Sequence, residues 1–487
     1  MSIVSEPEET VPPPAPTVPT VPTAPTEIPA PTEIPAKNAW KGLALRLHFY
    51  AGLFAAPFIL VAAVTGALYA LAPQLESWVY ADQLTTRSTG PALPLATQVD
   101  AALATDPGGT LDAVRTPAEP GATTRVLFER ADLGESERWT VFVDPVTAEV
   151  KGEMATYGGS GALPLRTTIS QLHRNLMLGE PGRIYSEMAA SWMWFVALGG
   201  LVLWVARWRT KRKRKLADLV RPEPGVRGRR RLVGRHGAVG VWLLAGMLFL
   251  SATGLTWSTY AGANISTIRT NLGWTAPKLE TGAASSGGHD GHGGGAAAEP
   301  LPPVSPATFD VVLDAARAAG IDAAATEVAA PASAGAAWTV TEIKPSLPNE
   351  DDKAAVDPTT GTVTDIVHFA DWPLMAKLTT WTIDGHMGLL FGIANQLVLL
   401  AFAVGLIAVI LLGYRMWWLR RPTKGGAPSP LAPRGQFRRL SQPVGFTVVL
   451  AAVVIGWFAP LFGISLVAFL LVDAWRGHRA TKAARRA

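Results

Sequence analysis

Long apolar runs are the feature that most constrains what this chain can fold into. Four of them reach the roughly 20 residues that a helix needs to cross a bilayer. They lie at 47–72, 188–206, 237–259 and 386–414. A fifth run, at 444–472, is longer and is interrupted by Pro460. Only 17% of the residues are charged, against about 25% in an average soluble domain. The sequence therefore predicts a multi-pass α-helical membrane protein and excludes a soluble enzyme.

The charges between the apolar runs predict which side of the membrane each loop faces. The segment 207–235 holds 13 Lys or Arg and two acids, and 415–439 holds 7 Lys or Arg and no acid. The segments 73–185 and 259–385 are acidic. Because loops on the cytoplasmic side carry the excess of Lys and Arg, we expect the acidic segments outside. The basic C-terminal tail favours a hairpin of two short helices in the fifth run over one tilted span, with both termini cytoplasmic.

The resulting layout alternates membrane and external segments. The first 40 residues are rich in Pro and Thr and repeat PTEIPA, which is typical of a disordered tail. The predicted segments are that cytoplasmic tail at 1–40, a first span at 43–72, an external domain at 73–165, an outer segment with the second span at 166–206, a cytoplasmic loop at 207–235, a third span at 236–259, a second external domain at 260–377 with a Gly/His-rich linker at 281–300, a fourth span at 386–414, a cytoplasmic loop at 415–442, the hairpin at 444–474 and a basic tail at 475–487.

Each external domain has the pattern of a small α+β unit. The first contains a short helix at 99–104 and the strand-like runs RVLFER and RWTVFVDPVTAEVKGE. The second contains the amphipathic helix TFDVVLDAARAAG, then AAWTVTEIK and KAAVDPTTGTVTDIV. Alternating apolar residues that end in turn residues predict hairpins. DPVTAEV at 144–150 matches DPTTGTV at 357–363, so we interpret the two domains as copies.

The spans repeat as well. His48 and His236 are each followed by Gly after four residues and by Thr-Gly after 17 and 18. His173 and His386 are each followed by Gly, Gly, Trp and Arg after six, 27, 31 and 34 residues. These matched offsets predict a tandem repeat of span, external domain and span, with a pseudo-twofold axis along the membrane normal.

Such an axis pairs the four histidines, with one pair at each side of the membrane. Two imidazoles that face each other across an apolar bundle are the ligands of a low-spin b-type haem. His48 and His236 are therefore predicted to bind an inner haem iron, and His173 and His386 an outer one. The chain has no cysteine, which excludes iron–sulfur clusters and covalently attached haem. Both predicted haems are therefore non-covalent.

Other titratable residues carry weaker patterns. His289 and His292 lie in SSGGHDGHGGG, which is typical of a flexible linker and leaves weak metal binding open. His368 and His478 show no pattern. Glu187, at the start of the second span, is interpreted as a carboxylate favoured by the helix dipole, with a charge or proton role left open. No catalytic residue is predicted.

The membrane segments and the paired hairpins together carry a resemblance to a known family. HFYAGLFAAPFILVAAVTGALYA, LHRNLMLGEPGRIYSEMAASWMWFVALGGLVLW, HGAVGVWLLAGMLFLSATGLTW and HMGLLFGIANQLVLLAFAVGLIAVILLGYRMWW, with DPVTAEV and DPTTGTV, resemble the PepSY-associated transmembrane family over about residues 40–475. The resemblance implies a bacterial inner-membrane protein with two PepSY-like external domains, often tied to iron uptake. Some members of the family are ferric-siderophore reductases that pass electrons through transmembrane haem.

The function expected from these observations is transmembrane electron transfer. Electrons would pass from a cytoplasmic donor, a flavin reductase or a quinol, through two b-type haems to a ferric siderophore or another ferric chelate outside. No nucleotide-binding fingerprint occurs in the chain, so the donor is a separate partner. The basic run beside a span is an orientation signal, and no nucleic acid is expected as a partner. The alternative is a non-enzymatic membrane protein whose PepSY-like domains bind peptides or regulate a protease. A transporter is disfavoured because the spans carry few polar residues besides the histidines.

Overall fold

The computed structural model describes residues 39–210, 215–282, 304–331, 333–343, 347–419 and 437–484. A bundle of long apolar helices carries an eight-stranded antiparallel sheet at one end. Several predictions lie outside the described residues. These are the disordered tail up to residue 38, the linker from residue 283 onward with His289 and His292, and the loop at 420–436.

The helices account for the apolar runs. In chain order they are α1 (Ala39–Val79), α2 (Ala81–Leu84), α3 (Leu95–Leu103), α4 (Pro164–Asn175), α5 (Glu180–Arg209), α6 (Ala217–Val220), α7 (Gly228–Leu255), α8 (Tyr260–Asn271), α9 (Pro306–Ala318), α10 (Leu374–Met387), α11 (Ile393–Trp418), α12 (Gln442–Phe458) and α13 (Pro460–Ala484). Within the described residues, α1, α5, α7, α11 and the part of α13 up to Arg479 are long and apolar enough to cross a membrane. A helix satisfies its own backbone groups in lipid, so the predicted membrane-helical class is confirmed.

Four of these helices form a closed ring. Each packs against two neighbours, in the order α1, α5, α7, α11 and back to α1. α1 and α7 therefore face each other across the centre, as do α5 and α11. α13 lies outside the ring against α5, where Phe462 packs on the buried Trp192 and the indole of Trp192 donates to Ser465 Oγ over 2.9 Å. The centre of the ring is thus lined by residues from both halves of the chain.

The fifth apolar run folds as two helices that turn at Pro460. Gly456 and Gly463 face each other so closely that a Cβ placed on Gly456 would lie 3.0 Å from the Cα of Gly463. Near the turn, Asn264 of α8 donates to the carbonyl of Phe458 over 2.9 Å. Midway along α13, Asp473 pairs with Arg46 of α1. α13 therefore runs back along the bundle from the end at which α12 finishes.

One short helix precedes the second span and another precedes the fourth span. The sequence analysis does not predict either of them as a separate helix. α4 and α5 are joined by residues 176–179, and α10 and α11 by residues 388–392. Gly179 and Gly392, directly before α5 and α11, adopt φ of 64° and 56°, a conformation that glycine enters at little cost. The predicted fourth span at 386–414 is displaced for this reason, because α11 begins at Ile393 and His386 lies on α10.

The strands come equally from the two external segments. They are β1 (Thr110–Arg115), β2 (Thr124–Glu129), β3 (Glu137–Val143), β4 (Val150–Tyr157), β5 (Thr326–Ala329), β6 (Trp338–Glu342), β7 (Lys353–Asp357) and β8 (Thr362–Val367). All neighbours are antiparallel, in the order β4-β3-β2-β1-β5-β6-β7-β8. The sequence analysis expects two separate PepSY-like domains, whereas the strands form one sheet. The physical reason is that β1 and β5 pair and so satisfy each other's edge hydrogen-bonding groups.

The seam between β1 and β5 is held by charge and by a shared core. Arg115 stands opposite Glu327 and donates to it over 2.5 Å, and Arg138 donates to the same carboxylate over 3.2 Å. Burial opposes ionisation of Glu327, but these two guanidinium groups hold its pKa below the ordinary value. α3 and α9 pack against the sheet on one continuous apolar core. The carboxylate of Asp310 on α9 accepts the first backbone N–H groups of α3 at 2.7 and 2.8 Å, which caps one half of the chain with a residue of the other.

Candidate functional site: two histidine pairs in the bundle

The first histidine pair lies between the two helices that face each other across the ring. We call the end of the bundle near Arg46 and Asp473 the basic end, and the end that carries the strands the sheet end. His48 of α1 and His236 of α7 meet near the basic end with their ring centres 6.4 Å apart and their planes at 72°. Both side chains are half-buried. The structure thus brings together the two residues predicted to share an inner iron.

The Nδ1 atoms of this pair are already engaged. Nδ1 of His48 lies 3.0 Å from the carbonyl oxygen of Val196 on α5, and Nδ1 of His236 lies 3.0 Å from that of Val409 on α11. A carbonyl only accepts, so each Nδ1 carries the proton and each Nε2 has a free lone pair. A second-shell acceptor that fixes the tautomer in this way is typical of histidine ligands to metals.

Glycines line both imidazoles. A Cβ placed on Gly200 would lie 3.0 Å from Cε1 of His48, and one on Gly413 would lie 3.6 Å from Cε1 of His236. Gly52, one turn after His48, would place a Cβ 4.0 Å from Val196. At Gly240, one turn after His236, a Cβ would meet no described atom within 4 Å. The glycines at 200 and 413 therefore let α5 and α11 pack closely on the two imidazoles, and the position beside Gly240 is open.

The second pair lies near the sheet end and belongs to the short helices. His173 is on α4 and His386 is on α10, and the two lie within range of electrostatic interaction. Nδ1 of His173 is 2.9 Å from Oγ1 of Thr65 on α1, and Nδ1 of His386 is 2.6 Å from Oγ1 of Thr253 on α7. The outer pair is therefore positioned against the first and third spans.

The threonine hydroxyl groups decide the tautomer of the outer histidines. Thr65 donates to the carbonyl of Val61 over 2.8 Å, and Thr253 donates to that of Phe249 over 2.7 Å. Each hydroxyl proton is thereby used, so the oxygen accepts from Nδ1–H and Nε2 is again free. The sequence analysis identifies the repeated Thr-Gly dipeptides but predicts no role for them.

The donor set and the ring separation suit a metal held by two imidazoles on opposite faces. Two metal–nitrogen bonds of roughly 2 Å each, with roughly 1 Å from each nitrogen to its ring centre, place the centres about 6 Å apart. The 6.4 Å between His48 and His236 matches this geometry. Among the described residues no group of three or more His, Asp or Glu could hold a metal ion. The chemistry of these sites therefore depends on imidazole pairs, and the residues fit a bis-histidine haem.

The remaining sequence candidates lie elsewhere. Glu187 is buried and accepts the backbone N–H groups of Tyr260 and Ala261 at 3.1 and 3.0 Å. It lies two turns inside α5, which begins at Glu180, so it does not stand at the start of its own helix as predicted and instead caps the start of α8. His368 bonds to Asp352 over 2.6 Å at the end of β8. His478 is exposed on α13.

The fold and the site together define a class: a membrane helical bundle with two histidine pairs and an eight-stranded sheet at one end. The family described as the PepSY-associated TM region matches residues 45–420 of this chain. The chain belongs to this family, which confirms the resemblance seen in the sequence. A search of curated proteins finds no match.

Proposed function

We propose that the protein is a di-haem b electron-transfer protein of the bacterial inner membrane, with His48 and His236 holding an inner haem and His173 and His386 an outer one. The observation that carries the proposal is the geometry of the first pair. Its ring centres lie 6.4 Å apart with the ring planes at 72°, and each Nδ1 lies at hydrogen-bond distance from a backbone carbonyl. We further propose that the two halves are tandem repeats about an axis along the membrane normal, since each half supplies one histidine and one second-shell partner to each site.

The spacing of the two sites supports electron transfer across the membrane. His48 and Thr65 are 17 residues apart on α1, which corresponds to roughly 25 Å of helix. The apolar slab is roughly 30 Å thick, so one site lies near each surface. When bound, the haems supply one-electron chemistry. The chain's own residues orient the ligands, keep Nε2 free and exclude water from the bundle.

The charges support an outward direction of flow. The loop at 207–235 holds 13 Lys or Arg, so we place the basic end in the cytoplasm. A separate donor, a flavin reductase or a quinol, then reduces the inner site, and the acceptor at the sheet end is a ferric siderophore or another ferric chelate. Reporter fusions test the orientation. Fusions at Gly225, Gly426 and Ala487 are expected to be cytoplasmic, and fusions at Gly121 and Gly294 external. External fusions at Gly225 and Gly426 would contradict the orientation, and an external Ala487 would show that residues 444–472 form one span and would contradict the hairpin at Pro460.

The haem content is the direct test of the proposed function. Protein purified after expression with ample iron and haem is expected to contain two haems per chain that acid acetone extracts. An anaerobic reduced-minus-oxidised spectrum is expected to be low-spin and bis-histidine. His368→Ala, on the sheet, is the matched control and should keep the full spectrum. Absence of haem would overturn the proposal and favour a peptide-binding or protease-regulating role for the sheet.

A further inference from the structure

An arginine cluster lies where the sheet meets the bundle. It is formed by β1, β2, β3 and α4 and consists of Arg115, Arg125, Arg138, Arg166 and Arg174. The described acids that face it are fewer, and they are Glu76, Asp112 and Glu327. Positive charge is therefore in excess at this buried junction. The hydrogen-bond partners of each arginine show which guanidinium groups lack a compensating acid.

Two of the five arginines form ion pairs with acids of the sheet. Arg115 bonds to Glu327 over 2.5 Å and to the carbonyl of Gly159 over 3.0 Å. Arg138 bonds to Asp112 over 2.9 Å and to the same Glu327. A third, Arg174, donates to the hydroxyl of Tyr157 over 2.9 Å. These bonds account for the sheet acids, and Arg174 bonds to a neutral hydroxyl. The excess charge therefore falls on Arg174 and on Arg125 and Arg166, the two arginines that interact with Glu76.

Glu76 is the acid that remains for these two residues. One of its oxygens is occupied, because Oε2 accepts the backbone N–H of Leu163 over 2.8 Å. Arg125 bonds only to the carbonyl of Gly161, over 3.3 Å. Burial, with Arg115 beside it, lowers the pKa of Arg125 to about 10. Around Glu76 the balance is therefore two guanidinium groups, those of Arg125 and Arg166, to one carboxylate.

Arg166 lacks the most partners, since two of its nitrogens have none among the described residues, against one (Nε) in Arg174. It is only 6% exposed, and its Nε and Nη2 have no hydrogen-bond partner among the described residues. A buried guanidinium without such bonds carries a high desolvation cost. A molecule that brings a carboxylate would remove that cost, because guanidinium binds carboxylate through two parallel hydrogen bonds.

The position of Arg166 identifies the carboxylate. Arg166 and His173 lie seven residues apart on α4, so they share one face of the helix, with Arg166 roughly 10 Å nearer to the sheet. Ile169, buried between them, marks that face as the inward one. A b-type haem carries two propionate carboxylates on its edge. In the second half, the residue seven positions before His386 is Thr379, which donates to the carbonyl of Met375 over 2.7 Å. Only the first half therefore has an arginine at this position of the short helix.

We propose that Arg166 binds a propionate of the haem held by His173 and His386, and that it orients this haem with its carboxylate edge toward the sheet. The inference rests on the proposed function and deepens it. Arg166 is a positioning residue with three measurable consequences. It slows the loss of one haem, raises the midpoint potential of that haem by placing positive charge beside it, and shifts the infrared carboxylate bands of its propionate.

The experiment compares holoprotein variants in detergent. Arg166→Met removes the charge and the hydrogen bonds, and Arg166→Lys keeps the charge. Arg130→Met changes an arginine that bonds to Asp132 at the sheet surface and is the matched control. With apomyoglobin as acceptor, Arg166→Met is expected to release one of the two haems roughly 10- to 100-fold faster and to lower its midpoint potential. Arg166→Lys should keep most of the potential, and Arg130→Met should match the wild type. The other haem reports that Arg166→Met is folded.

Three results would overturn the inference. If wild-type protein holds two haems but Arg166→Met retains both as well as wild type does, with unchanged infrared carboxylate bands, the inference fails and the proposed function stands. If those properties are unchanged while the KM for an anionic ferric chelate rises, Arg166 binds the acceptor instead. If wild-type protein holds no haem, the proposed function fails and the inference fails with it.

Discussion

The first half of the chain, 39–210, and the second half, 215–419, match inside the bundle and differ where the bundle meets the sheet. In the bundle, His48 and His236 bond to equivalent carbonyls at the same 3.0 Å. At the sheet, Arg166 of the first half corresponds to Thr379 of the second. A haem shared by the two halves would need the same contacts from each half, whereas the residues that surround it can differ between the halves. The predictions below test both parts of this comparison.

The largest expected effect is the loss of a haem, and it should be equal in the two halves. His48→Ala and His236→Ala are each expected to remove the same haem, because one iron needs both imidazoles, and the double variant should lose no more. His173→Ala and His386→Ala should do the same for the other haem. Each variant should stop electron transfer to an external ferric chelate. Difference spectra with His478→Ala as control measure this. Two haems retained in His173→Ala, with one lost in His386→Ala, would refute the outer pairing.

The second prediction concerns the threonines, which should also be equivalent. Thr65→Val and Thr253→Val each remove the acceptor for Nδ1 of one outer histidine. Loss of such a second-shell bond costs roughly 10- to 100-fold in metal affinity, so each variant should bind the outer haem more weakly and keep the inner one. Thr→Ser at either position should restore binding. Thr379→Val, which removes a similar hydroxyl from α10, is the control. Equal weakening of both haems would contradict this assignment.

The third prediction concerns the matched turns DPVTAEV and DPTTGTV, where the halves should differ. Asp144 is buried and accepts from Ser88 over 2.6 Å, from Thr86, and from the N–H of Val146 over 2.9 Å. Burial opposes ionisation, but these hydrogen bonds lower its pKa to about 2. Asp357 accepts from Thr359 in a more open turn. Asp144→Ala is expected to cost roughly 1–3 kcal/mol of unfolding free energy, and Asp357→Ala much less.

The pH dependence follows from the direction of that shift. The pKa of Asp144 is lower in the folded state than the ordinary 3.8. Its contribution to stability is therefore complete above pH 4 and is lost as the pH falls toward about 2. Urea unfolding followed by tryptophan fluorescence at pH 3 and pH 7 measures this, and the difference between the two pH values should shrink in Asp144→Ala. An equal effect of Asp357→Ala would show that the two turns are energetically alike.

The smallest expected effects concern the glycines beside the histidines. A Cβ would meet the imidazole at 3.0 Å from Gly200 and 3.2 Å from Gly66, but at 3.6 Å from Gly413 and 3.8 Å from Gly254. Overpacking costs roughly 1–3 kcal/mol, whereas Gly→Ala in a helix gains up to about 1 kcal/mol. Ala at Gly200 or Gly66 should lower the temperature at which the haem spectrum is lost. Ala at the other two positions should leave it unchanged or raise it. Equal shifts in all four variants would contradict this asymmetry.

The amino-acid sequence by itself determined the membrane class, the family and the histidine residues worth pairing. A membrane-spanning helix can be predicted from a local stretch of sequence, because a helix satisfies its backbone hydrogen-bonding groups within its own segment. The family match over 45–420 confirms the resemblance, and the membrane helices confirm the class. The haem and its redox role remain predictions.

The tertiary structure alone decided how the external segments join and what surrounds each histidine. The pairing of β1 with β5 escaped sequence analysis because the two strands lie more than 200 residues apart in the chain, and no local pattern indicates such a contact. The carbonyls of Val196 and Val409 have no signature at all, since every residue carries one. Arg166 looks like any surface arginine in the sequence. Its burial beside Arg125 and Glu76 depends on contacts between a strand and two helices, and only folding brings those elements together.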